Sequence, residues 1–173
     1  DDARAIWMGA HDLATWQLVQ ETPWLPVPYS RVERQAVEAL DDLPPAREVS
    51  FAVEEIATGD LVGTAYVTIF RAPHRTASIG VTLWPAARGR GLGTDVLRVV
   101  CRYLFEVRAM FRADIETLAV NTALRGAARR AGFVEEGVRR EHAWVDGAFA
   151  DVVVAGLLLP DWRAARSARG PDA

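Results

Sequence analysis

The sequence predicts an α/β fold of the α+β kind: one mixed, mostly antiparallel twisted sheet with helices on both faces. Three observations carry that expectation. Residues 49–55, 61–70 and 76–83 alternate apolar and polar side chains and are joined by short turns, so they form an antiparallel meander. A glycine-rich turn, Arg88-Gly89-Arg90-Gly91-Leu92-Gly93-Thr94, then leads into apolar residues at helical spacing. A last hairpin closes around Asp146-Gly147, an Asp-Gly pair suited to a tight turn. The helical crossover makes the strand ending at Leu83 and the strand starting at Ala113 parallel neighbours.

A chain of 173 residues supports one well-cored domain. The expected domain is 1–162, followed by a flexible tail, 163–173, rich in Ala, Arg, Gly and Pro. Half the residues are hydrophobic and a quarter charged, an ordinary globular balance. The net charge of −3 argues against a nucleic-acid partner held by a global positive field. All 20 basic residues are arginine. The single cysteine, Cys101, lies on the inward period of the helix after the glycine loop and reads as a buried thiol. One cysteine permits no internal disulfide, which together with the absence of a visible signal peptide predicts a cytoplasmic protein. No apolar run reaches membrane-spanning length, and no metal is expected.

Taken in order, Asp1 and Asp2 cap a helix start at 3–8, so the chain begins inside an element and leaves room for a strand ahead of it. Trp24-Leu25-Pro26-Val27-Pro28-Tyr29 is a stiff loop, able either to anchor on the core or to line an entrance. Ser30 with Glu33 forms a capping box for a helix to about Leu43, and Pro44-Pro45 stops it. The meander follows, with Thr58-Gly59-Asp60 as its first turn. After the glycine loop a long helix runs to about Ala109, then a strand over 113–120. Asn121-Thr122 caps a short helix, 123–131, ended by Gly132. The hairpin strands cover 133–142 and 151–159, closed by Pro160.

The glycine loop has the outline of a phosphate site. Its glycines let backbone N–H groups converge, and the following helix adds positive potential. Arg88 and Arg90 add charge. A dinucleotide fold would place its glycine fingerprint after the first strand of repeated βαβ units, whereas here three meandering strands come first. No Gly-Lys-Ser/Thr sequence exists, which excludes a P-loop.

These motifs together resemble the GNAT superfamily of acyl-CoA-dependent N-acetyltransferases, and most of all its ribosomal-protein N-terminal branch. The family's Arg/Gln-x-x-Gly-x-Gly/Ala motif is matched by Arg88 to Gly93, and its Asn followed by Ala-Gly-Phe is matched by Asn121 and Ala131-Gly132-Phe133. Trp24-Leu25-Pro26, Gly59 to Gly63, Trp84-Pro85 and Asp146-Gly147 are smaller echoes over residues 1–162. The resemblance implies a splay between strands four and five of the family's sheet, here 76–83 and 113–120. It implies acetyl-CoA as cosubstrate, with its pyrophosphate on Arg88, Gly89, Arg90, Gly91, Leu92, Gly93 and Thr94. Leu83 and its strand would hold the pantetheine, and an N–H near Val81 to Leu83 would meet the thioester oxygen. Asn121 would hold the pantetheine or an ordered water, or serve simply as a helix cap.

The implied reaction is direct attack by a neutral amine on the thioester in a ternary complex. A terminal α-amine, with pKa near ~8, gives up its proton readily to a carboxylate acting through water. Glu116, five residues before Asn121, is the first candidate base, with Glu54, Glu55 and Asp151 as alternatives. Trp24, Tyr29, His142 and Trp144 are candidates for the acceptor side. Two departures from the family pattern stand out. Ala128 occupies the place of its acidic tyrosine, and Leu124 that of the ribosomal branch's serine. The expected acceptor is a protein or peptide N-terminal α-amine; a small amine such as an antibiotic or polyamine, or a non-catalytic acyl-CoA-binding module, are the alternatives. The resemblance allows a monomer or a homodimer.

Overall fold

The computed structural model describes residues 4, 7, 8, 28–32 and 48–169. Strands β1 (Glu48–Glu54), β2 (Leu61–Arg71) and β3 (Thr76–Leu83) form the antiparallel meander. Helix α1 (Leu92–Arg102) crosses over to β4 (Arg112–Leu118), which lies parallel to β3. Helix α2 (Thr122–Ala131) leads to the hairpin of β5 (Val134–Val145) and β6 (Ala148–Leu158), and α3 (Leu159–Arg169) ends the described chain. The six strands form one sheet in the order β1-β2-β3-β4-β6-β5, all pairs antiparallel except β3 with β4. This is the mixed, mostly antiparallel sheet that the sequence predicts. No described helix is long and apolar enough to cross a membrane.

One face of the sheet carries the core. Leu97, Val100, Cys101 and Leu104 are buried at successive helical intervals. They pack on Val67, Ile79, Ala113 and Ile115 from alternate positions of β2, β3 and β4. Full burial of each leucine contributes roughly 1.5–3 kcal/mol. Burial also pushes the Cys101 thiol up to about 12, so it is an inert core group.

Three expectations change. The helix after the glycine loop is not α-helical to 109: a π turn spans Tyr103–Val107, closed by Arg108 N–H on Tyr103 O at 3.0 Å. Within this wider turn the consecutive Leu104 and Phe105 are both buried. The second change concerns the tail. Residues 163–169 are helical, the continuation of α3, and Pro160 opens that helix rather than closing the hairpin. A proline in the first helical turn forfeits no intrahelical bond, and Trp162, 8% exposed, packs on Phe105 with ring centroids 5.3 Å apart. Third, residues 29–32 form a helical turn whose first bond runs from Arg31 N–H to Pro28 O at 2.9 Å. The helix therefore starts two residues before a Ser30 cap would place it, while Glu33 and the helix expected to Leu43 lie outside the described residues.

The opposite face of β4, β5 and β6 is charged. Arg112 donates through Nε to Asp114 Oδ1 at 2.7 Å and through both Nη atoms to the two carboxylate oxygens of Glu136. This cluster covers Gly156, where a Cβ would lie 2.5 Å from Arg112 Nη2. Hydrogen bonding from Arg112 holds the Glu136 carboxyl below the usual carboxylate range.

Replacing Trp162 by Ala should cost about 3–5 kcal/mol of stability and reduce helical signal, measured by urea unfolding followed by circular dichroism. A folded pKa below the unfolded value makes Glu136 stabilising above the ordinary carboxylate range, and that contribution is lost as pH falls through the folded value. Melting temperature in acid should therefore fall more steeply for the native protein than for Glu136→Gln, the two curves converging at the lowest pH; parallel curves would refute the linkage.

Candidate active site

The end of β3 and the start of α1 build a cradle of backbone donors. Leu83 leads through Trp84 and a 3₁₀ turn, Pro85–Ala87, into the glycine loop. Gly91 caps α1 in the left-handed region at φ 89°, and Gly89 has φ 73°, conformations that suit glycine. The first bond across the junction runs from Thr94 N–H to Gly91 O. The N–H groups of Gly91, Leu92 and Gly93 thus precede the helical ladder, at the positive end of α1. Arg88 turns inward and donates through Nε to Leu83 O at 3.0 Å. Arg90 turns away and pairs with Glu55, so its charge serves the turn between β1 and β2 rather than the cradle.

Beside the cradle the sheet opens. β3 and β4 pair only at Thr76↔Arg112, Ala77↔Ala113 and Ser78↔Asp114, and the later residues of both strands are unpaired with each other. Alternation fixes which β3 groups face the seam. Trp84 N–H bonds to Val62 O of β2, and Thr82 O also faces β2, lying against Gly63. The main-chain groups of Val81 and Leu83 therefore face the seam.

A cavity of about 240 Å³ lies on the helix-bearing side of this opening. Among the residues singled out from sequence, Val81, Leu83, Arg88, Gly89, Gly91, Gly93, Thr94 and Asn121 line it; Arg90 and Leu92 do not. Sequence reasoning missed Ala123, Leu124, Ala127 and Arg130, which form the wall contributed by α2. The period of α2 was the available signal, since these residues follow Asn121 on one face. Asn121 is 8% exposed and caps α2: its Oδ1 accepts from Leu124 N–H at 3.1 Å, and its Nδ2 donates to Thr117 Oγ1 at 3.1 Å. Among the described residues, no carboxylate lines the cavity.

Glu116 stands on the other face of the sheet, on the same side as Asp114 and Leu118. Its Oε2 accepts from Arg139 Nη1 at 2.7 Å. Its place is thus across the seam from the cavity rather than in it. Asp151 is a structural anchor: Oδ1 accepts from Glu141 N–H at 2.8 Å, and its main-chain O accepts from Ala119 N–H. The first bond holds a bulge in β5, where Arg140, Glu141 and His142 oppose Asp151 alone and Glu141 has φ 52°. His142 is exposed at that bulge. Trp144 packs edge-on against Phe149 at 4.8 Å near the hairpin tip, both exposed. Glu54 is exposed at the end of β1, and Tyr29 meets Trp7 edge-on at 6.2 Å. The structure does not bring Tyr29, Glu54 and Trp144 to the cavity lining, and Trp24 lies outside the described residues. Among the described residues, no group of three or more His, Cys, Asp or Glu could hold a metal ion.

Comparison with known proteins matches this arrangement. The family described as the acetyltransferase (GNAT) domain matches residues 1–134. The probable N-acetyltransferase YjcK of Bacillus subtilis is 28% identical over 129 residues, 74% of this chain and 71% of that protein. The [ribosomal protein uS5]-alanine N-acetyltransferase of Escherichia coli is 24% identical over 108 residues, 62% of this chain and 56% of that protein. The chain thus spans little more than half the length of that relative. Among solved structures, a Vibrio cholerae spermidine N-acetyltransferase in complex with CoA and spermine superposes with a TM-score of 0.83, covering 94% of this chain and 92% of that one at 18% identity, a likeness of fold alone. The matched domain, the splayed sheet and the glycine cradle at the head of α1 agree: the chain belongs to the GNAT family of acetyltransferases.

Proposed function

We propose that the protein transfers the acetyl group of acetyl-CoA to the α-amine at a protein or peptide N-terminus. The observation that carries the donor half is the cavity itself. It joins the N–H groups of Gly91, Leu92 and Gly93, which suit a pyrophosphate, to the open edge of β3, which suits the amides of pantetheine. A thioester threaded along that edge would present its carbonyl oxygen to the N–H of Val81 or Leu83. Such a donor strengthens as negative charge develops, an effect commonly worth about 3 kcal/mol in acyl transfer.

The acceptor would approach from the opposite face, where Glu116 stands. The amine nitrogen attacks the thioester carbon while Glu116, through a water, takes the amine proton. The C–S bond then breaks, and CoA departs as a thiolate that picks up a proton from solvent. Ala128 is buried at the position of the family's tyrosine and supplies no acid.

Charge on the acceptor face favours a single amine over a polycation. The carboxylates of Asp114 and Glu136 pair with Arg112, and that of Glu116 with Arg139. A polyamine needs several carboxylates without such partners, whereas a peptide N-terminus needs one proton acceptor and room for a chain.

Thiol release from acetyl-CoA should be at least about tenfold faster with peptides bearing free N-termini than with spermidine at equal concentration, an apparent preference of about 1.4 kcal/mol. Turnover of spermidine with none of any peptide would sink this acceptor assignment. Glu116→Gln should lower kcat by about 10² to 10⁴ and leave CoA affinity unchanged. Unchanged kcat in that variant would move the base elsewhere.

A further inference from the structure

Resting on the acceptor-face reading above, we propose that Tyr66 is an acceptor-binding residue, whose phenol oxygen takes one N–H of the incoming amine at the mouth of the seam. Tyr66 lies on β2 between Ala65 and Val67, both buried in the core. Its side chain therefore leaves the sheet on the opposite face, the face of Glu116. In the antiparallel ladder it stands directly opposite Gly80 of β3, and its ring leans across onto that glycine. A Cβ at Gly80 would lie 2.5 Å from the phenol oxygen and closer still to Cζ and Cε1. The polar end of the ring thus overlies β3, and only a glycine fits beneath it.

Gly80 stands where the sheet opens. β3 and β4 last pair at Ser78↔Asp114, and Gly80 and Glu116 each follow two residues later. They therefore flank the seam on one face, Gly80 on the β3 lip and Glu116 on the β4 lip. The next residue of β3 is Val81, which lines the cavity. A phenol oxygen and a carboxylate thus border the opening through which a thioester in the cavity meets its acceptor. An attacking primary amine must keep its lone pair for carbon and turn both N–H groups elsewhere. Glu116, through water, takes the proton that leaves. The second N–H needs another acceptor, and a phenol oxygen provides one while staying neutral. With one acceptor on each lip, the lone pair is aimed between them, into the seam. The C–N bond forms, and the C–S bond breaks with its electron pair going to sulfur. The amine proton goes to Glu116, and Tyr66 keeps its own. Packing of an aromatic ring over a cross-strand glycine accounts for the ring but not for the hydroxyl, since phenylalanine would pack equally. Tyr66 is 37% exposed, open to an acceptor on this face.

Steady-state kinetics of the full chain test this, with acetyl-CoA and the better acceptor of a free-N-terminus peptide and spermidine. Calorimetry with CoA serves as the control. Tyr66→Phe keeps the ring and removes only the oxygen. It should lower kcat/KM for the acceptor by about tenfold or more and leave CoA affinity and melting temperature unchanged. Gly80→Ala keeps the hydroxyl but pushes the ring off the lip, so it should reproduce the loss with CoA still bound. Acceptor kcat/KM within about twofold of the native value in either variant overturns the proposal. So does an equal loss of CoA affinity in Tyr66→Phe, which would make the residue a structural support of the donor strand. Native protein that acetylates neither amine overturns the transfer reading itself, a result visible before any variant is made.

Discussion

The short parallel ladder between β3 and β4 is the constraint on which the site depends. Three residue pairs hold the strands together, and beyond Ser78 and Asp114 they part. An open seam in a sheet is costly unless its main-chain groups find partners. Each lip is held by residues next to the cavity. Arg88 Nε takes Leu83 O on one side. On the other, Asn121 N–H bonds to Leu118 O. The same residues that define the cavity therefore hold the seam open, and the remaining edge of β3 is left to recognise a ligand that carries amides of its own.

Charge follows the same division. On the face that carries Glu116, described arginines pair with carboxylates: Arg112 with Asp114 and Glu136, Arg139 with Glu116. On the other side, Arg88 and Arg130 line a cavity to which, among the described residues, no carboxylate contributes. A sheet only one layer thick thus separates a face of paired charges from a pocket lined by two arginines. The seam joins the two, which suits a reaction whose donor is polyanionic and whose acceptor must arrive uncharged at the nitrogen.

Much of this was legible in the sequence because its causes are local. The meander, the Gly91 cap, Asn121 as the N-cap of α2, Gly132 with φ 106° at its end and the turn at Asp146-Gly147 each depend on a few adjacent residues. The glycine loop could be placed by what precedes and follows it. What escaped depends on contacts between distant segments. Arg88 and Arg90 look equivalent in sequence, but Glu55, 35 residues before Arg90, turns it away. Arg129 and Arg130 are adjacent, and only the packing of α2 between α1 and β5 gives them different partners. Asp151 has the chemistry of a base, yet the extra residues of the β5 bulge claim its carboxylate. Pro160 carries a stop signal that is equally a start signal, and only the contact of Trp162 with Phe105 decides between them.

The absence of an acid at Ala128 follows from packing as well. Ala128 is 4% exposed, and beneath it α2 lies close to β4 and β6, leaving about 10 Å³ among Ile115, Thr117, Leu124 and Phe133. That space holds no phenol, so α2 must sit directly on the sheet. Close seating has a further effect: it brings Thr117 within hydrogen-bonding distance of Asn121 and the end of α2 against the head of α1, where Arg130 meets Thr94. A thiol with an ordinary pKa near ~8.5 leaves as thiolate without strong assistance. The chemistry therefore tolerates alanine there better than it would tolerate a displaced α2, because a displaced helix would take the donor wall with it. In this chain the geometry of the donor pocket and the lack of a tyrosine are two consequences of one tight helix-on-sheet contact.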